Sequence, residues 1–187
     1  MYLGSGYDVR ALVEAILRSA EFRSERAFHA LIKSPMELII GAVKALGLAT
    51  LPRDLAAIAR RMGQDLYNPP TVKGWDGGPA WITTSTLLER FNLANRLITT
   101  RGREGFATLR DELIARRPAS AEQVVDYFLQ RFLDGDATDH VRRVLAAYLR
   151  VNDDGTPLPF SLDARFIDLK VRGLIHLIMS LPGYQLN

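Results

Sequence analysis

Apolar residues recur along most of this chain every three or four positions, the repeat of helices that bury one face. Asp8 can cap a first helix whose apolar stripe is Leu12, Val13, Ile16, Leu17 and Ala20. The stretch KSPMELIIGAVKALG predicts a second. Ser34 is a natural N-cap, Pro35 suits the first helical position, and Glu37 completes a capping box. Ile39, Ile40, Val43 and Leu46 make its apolar face broad, which predicts a central helix, and Gly47 is a good stop. A third helix is expected from about Pro52 to Gln64, with Leu55, Ile58, Ala59 and Met62 inward. A fourth begins near Thr84, with Leu87, Leu88, Phe91, Ala94 and Ile98 inward. A fifth carries Phe106, Leu109 and Leu113. It ends at Arg116-Arg117-Pro118, because the residue before a proline resists helix. Ser120 and Gln123 frame a sixth helix, which packs Val124, Val125, Phe128, Leu129 and Phe132. A seventh carries Val141, Val144, Leu145, Tyr148 and Leu149. The last places Ile167, Val171, Leu174, Ile178 and Leu181 on one face and stops at Pro182-Gly183. No strong alternating strand pattern and no fixed repeat interrupts this series. The expected fold is all-α, about eight helices in a single compact, bundle-like domain over residues 1–187.

One stretch breaks the helical pattern. NPPTVKGWDGGPAWI, residues 68 to 82, holds both tryptophans among prolines and glycines. It lies within a long Pro/Gly/Trp loop expected over residues 65–83. Pro69 and Pro70 fix an extended entry, and the glycines permit positive φ. The tryptophans can fold back as plugs over helix ends. Alternatively Trp75 and Trp81, with Asn68, Lys73 and Asp76 beside them, can form a platform for a sugar or peptide. Arg90, Asn92 and Arg96 on the following helix can complete a polar pocket there, or simply line a solvated face.

Composition narrows the function classes. Hydrophobic residues make up 48% and charged residues 24%, an ordinary globular balance. With no cysteine, disulfides and thiolate metal sites are excluded. The net charge of +3 is carried by arginines interleaved with acids, and nucleic-acid binding wants a concentrated basic patch instead. No apolar run reaches the ~18 residues of a spanning helix. No basic and apolar leader follows Met1. His29, His140 and His176 lack any paired metal-ligand spacing. Asp134, Asp136 and Asp139 alternate as calcium ligands can, but the glycine and glutamate of a calcium loop are missing. Capping of the next helix by Thr138 or Asp136 accounts for them better. GWDGG lacks the lysine and hydroxyl residue of a phosphate-binding loop. No cofactor or metal is expected, and no catalytic constellation is visible.

The segment MGQDLYNPPTVKGWDGGPAWITTSTLLERFNLAN resembles the C-terminal part of a bacterial family of unknown function, DUF1800. The matching positions include Met62, Gly63, Gln64, Pro69, Pro70, Val72, Gly74, Trp75, Gly77, Gly78, Trp81, Thr84 and Ser85. Lys33, Ser34, Pro35, Glu37 and Gly47 are similar to its upstream segment, and LIMSLPGYQLN to its ending. Asp76 and Thr83 depart from the proline and asparagine more usual there. Both changes still allow a turn or a helix cap. The resemblance implies a longer parent with an N-terminal half and often an export signal. The full-length form is then expected to be exported or periplasmic, and otherwise the protein is cytoplasmic.

Two readings of function follow. The first is a helical interaction or structural module that docks a protein partner, a second copy or a missing N-terminal half. The alternative is a cell-envelope glycan- or peptide-binding or hydrolytic module built on Trp75 and Trp81. Exposure of the two rings discriminates between them.

Overall fold

The structure is a computed structural model that describes residues 3–48, 54–99 and 103–187. It is all-α. Its helices are α1 (Val9–Arg18), α2 (Pro35–Leu46), α3 (Leu55–Arg61), α4 (Thr84–Thr99), α5 (Arg103–Arg116), α6 (Ala121–Leu133), α7 (Asp139–Leu149) and α8 (164–179). Among the described residues there is no sheet, only isolated bridges such as Ile32 with Leu186.

The local signals work as physical chemistry requires. Ser34 accepts from the Glu37 backbone N–H at 3.3 Å, and the Glu37 carboxylate accepts from the Ser34 N–H at 2.7 Å. Gly47 ends α2 at φ 66°, a left-handed conformation that a side chain resists. Ser120 and Thr138 cap α6 and α7. The third helix is shorter than expected. Its C-terminus stops before Gly63 at φ 96°, and Pro52 lies outside the described residues.

One hydrophobic core joins α2 to α8. It contains Leu38, Ile39, Val43 and Leu46 of α2, and Val124, Val125, Phe128, Leu129 and Phe132 of α6. The inner face of α4 is rotated from the expected one. Leu93, Ala94, Leu97 and Ile98 are buried, Leu87 and Phe91 are half-buried, and Leu88 is exposed. Arg90 stands inside instead. On α7, Leu145 and Leu149 are buried as expected, whereas Val144 is exposed and Tyr148 half-buried.

Helix α8 contains a π-helical segment, Ile167–Val171, between Ala164–Phe166 and Arg172–Met179. Its buried residues come in doublets: Phe166 and Ile167, Lys170 and Val171, Leu174 and Ile175, Ile178 and Met179. A four-residue repeat drifts about 40° per turn in an ideal α-helix of 3.6 residues. A wider π turn offsets that drift and keeps the doublets facing the core.

The segment before α2 behaves differently. Helix α1 forms, with the Asp8 carboxylate accepting from Arg10 N–H at 2.8 Å, yet it buries none of its residues. Val9, Val13, Ile16 and Leu17 on its apolar stripe are exposed, as are Leu3, Tyr7, Phe22, Phe28 and Leu31 around it. His29 contributes a contact to the helical body, its Nδ1 lying 3.0 Å from Asp136 Oδ2.

Candidate functional site

The Pro/Gly/Trp loop is a compact set of turns. Gln64 ties its start to α2 by accepting from Met36 N–H at 2.9 Å. Asp65 accepts from Asn68 Nδ2 at 3.0 Å and from Arg60 Nε at 2.9 Å, and these bonds hold its carboxyl below the usual range. Thr71 and Gly74 close a tight turn, with Gly74 at φ 97°. Lys73 and Asp76 form an exposed ion pair at 2.9 Å.

Trp81 ends a short 3-10 turn, Gly78–Trp81, and only 7% of it is exposed. Its ring lies 3.8 Å from where a Cβ would stand on either Gly63 or Gly77. A Cβ at either glycine would rest in ordinary contact with the ring, but it would strain a positive φ. The backbone carbonyl of Trp81 accepts from the Thr86 hydroxyl at 2.9 Å. Thr83 N–H donates to Thr86 Oγ1 at 2.8 Å, and Thr86 N–H donates to Thr83 Oγ1 at 3.2 Å. This reciprocal pair fixes the start of α4. Trp75 is half-buried. Of the two rings, Trp81 is buried and Trp75 is partly open to solvent.

The remaining candidates separate. Asn92 and Arg96 line a polar groove of ≈ 540 Å³ between α3 and α4, flanked by the Arg61–Glu89 pair at 3.1 Å; Arg96 also pairs with Asp54. Arg90 is only 2% exposed and turns into the fold. It donates to the Lys33 carbonyl at 2.7 Å and to Gln185 Oε1 at 3.3 Å, while its buried Nε has no partner among the described residues. Burial pulls its pKa below the ordinary guanidinium value. Lys33 continues this clasp. Its N–H donates to the Gln185 carbonyl at 2.8 Å, and its ammonium donates to the Tyr184 carbonyl at 2.8 Å. Burial lowers the Lys33 pKa against the opposing pull of Asp134. Arg90 thus locks α4 to both ends of the helical body rather than completing a pocket with Asn92 and Arg96.

A larger cleft lies elsewhere, between the C-terminus of α7, the loop after it and α8. It measures ≈ 810 Å³, and Tyr148, Asp153, Leu158, Phe166, Leu169 and Lys170 are among its lining residues. The Lys170 side chain is 8% exposed and donates to Asp153 Oδ1 at 2.9 Å. Its ammonium sits 4.8 Å from the centre of the Tyr148 ring. Gly173 makes room for that ring, since a Cβ there would stand 1.8 Å from the Tyr148 hydroxyl. Desolvation raises the Tyr148 pKa, against the pull of Lys170. Sequence reading missed this cleft. The available signal was Lys170 standing where the four-residue spacing of Phe166, Leu174 and Ile178 would place an apolar residue.

Among the described residues no group of three or more His, Asp or Glu side chains could hold a metal ion, and no helix is long and apolar enough to cross a membrane. The arrangement is that of an all-α protein with a turn-rich segment that buries Trp81 and a buried cationic clasp. The chain belongs to the family described as Protein of unknown function (DUF1800), which it matches over residues 1–186. No curated protein and no solved structure matches it.

Proposed function

We propose that this chain is a helical interaction module that docks a protein surface through α1 and the turns that follow it. The observation that carries this reading is the exposed apolar side of residues 3–31. Among the described residues, nine of the eighteen exposed large apolar side chains fall in that short stretch. Scattered single exposures are ordinary, but a dense apolar surface on a soluble protein usually serves contact. Helix α1 has ten residues, too few for an isolated helix to be robust in water, so a partner that covers its stripe would also stabilise it. The glycan or peptide platform draws less support, because Trp81 is buried beneath its own loop.

Hydrophobic-dye binding and light scattering on the isolated chain test the reading. The chain should bind dye or self-associate, and replacing Val13, Ile16 and Leu17 together by serine should abolish either behaviour. A monomer that binds no dye before the substitutions would remove the basis for docking.

A further inference from the structure

We propose that the cleft between α7 and α8 binds a small carboxylic acid with an apolar body, its carboxylate held by Lys170. Burying an ammonium is costly unless it is paired and its donors are satisfied. Lys170 is buried at a doublet position where its neighbours along α8 are apolar, and the π-helical segment turns it inward. Its coordination is incomplete. One N–H reaches Asp153, and no other acceptor lies within hydrogen-bond distance among the described residues. Asp153 itself is weakly committed, for its side chain is 99% exposed. An exposed partner is screened by water and easily exchanged.

The other acids around the cleft are occupied. Asp154 accepts from the Thr156 hydroxyl at 2.7 Å and from its N–H at 2.9 Å. Asp163 caps α8 by accepting from Phe166 N–H at 2.8 Å, and accepts from the Ser161 hydroxyl at 2.9 Å. Unfilled coordination therefore belongs to the cation, which asks for an anion. The walls ask for carbon: Leu158, Pro159, Phe166 and Leu169 line the space. The Tyr148 ring sits beside the ammonium, and its hydroxyl has no hydrogen-bond partner among the described residues. At ≈ 810 Å³ the cleft falls within the ~300–1,000 Å³ usual for small-molecule sites. The ligand carboxylate would take over the place of Asp153 on Lys170, or share it.

The test uses the whole chain and two probes of the same shape, 3-phenylpropionate and 3-phenylpropan-1-ol, followed by backbone amide NMR. The acid should shift the amides of Tyr148, Leu169 and Lys170 saturably. The neutral alcohol should bind about tenfold more weakly or worse, the usual loss of a hydrogen bond to a charged group. Asp153→Asn removes the competing carboxylate from an exposed loop position and should tighten the acid roughly two- to fivefold, the range of an exposed ion pair. Lys170→Met should abolish acid binding. If that variant does not fold, Asp153→Asn decides alone. Equal affinity for acid and alcohol overturns the proposal. So does an unchanged acid affinity in Asp153→Asn, or the lack of any saturable shift at millimolar acid.

Discussion

Helices α1 and α6 carry the same signals and meet opposite fates. Each has an N-cap whose side chain accepts a backbone N–H, and each has an apolar stripe at helical spacing. Helix α6 buries seven of its thirteen residues, whereas α1 buries none of its ten. The difference lies in what surrounds them. Helix α6 packs on α7 and α8, while among the described residues no helix packs extensively on α1. Periodicity reports which side of a helix avoids water. It does not report whether this chain supplies the cover. The body from Ser34 onward supplies its own, and the segment before it does not.

That contrast can be broken by substitution. The largest effect is expected in the body. Trp81→Ala should lower stability by roughly 3–5 kcal/mol, the usual cost of emptying a buried aromatic site. Chemical denaturation with a midpoint indistinguishable from that of the unsubstituted chain would place the ring outside the cooperative unit. Ser34→Ala should cost about 1 kcal/mol and Ser34→Asp much less, because a carboxylate can replace the hydroxyl as cap. A thermal melt of the two variants side by side checks the order. The smallest effect is expected in α1. Ile16→Ser should change stability by less than about 0.5 kcal/mol, as an exposed position does. A clear loss of stability there would mean that α1 is packed after all, and the contrast with α6 would fall.

Much of the fold was legible because its signals are local. The Ser34 box, the Gly47 stop, and the Ser120 and Thr138 caps each involve residues a turn apart. The stripes of α2, α6 and α8 also need only their own sequence. Apart from the early stop of α3 at Gly63, the misreadings are long-range. Leu88 fits an apolar repeat, yet Arg90 took the inner side of α4 because its partners are Lys33 and Gln185, 57 and 95 residues away. No pattern within α4 announces a carbonyl that another segment brings. Where the candidate residues lie also depends on long-range packing. Asn68, Lys73 and Asp76 are held within the loop, Trp81 and Arg90 went inside, and Asn92 and Arg96 face a groove between α3 and α4. The cleft at Lys170 depends on Tyr148 and Asp153 arriving from another helix and its loop, so only the misplaced lysine could have hinted at it.

The clasp around Lys33 and Arg90 has a consequence for the order in which the protein can be made. Lys33 and Tyr184 are 151 residues apart, and the carbonyl of Gln185 receives the Lys33 N–H. On a ribosome, α2 leaves the exit tunnel long before those acceptors exist. Until residues 184–187 follow, the Arg90 guanidinium lacks its Gln185 partner and cannot be sealed in its final place. Contacts this distant in sequence form late and slow folding. The helical body should therefore pass through a nascent stage with its apolar interior open at this seam, which is when such chains are most prone to aggregate. Arrival of the turn at Pro182–Gln185 closes this seam.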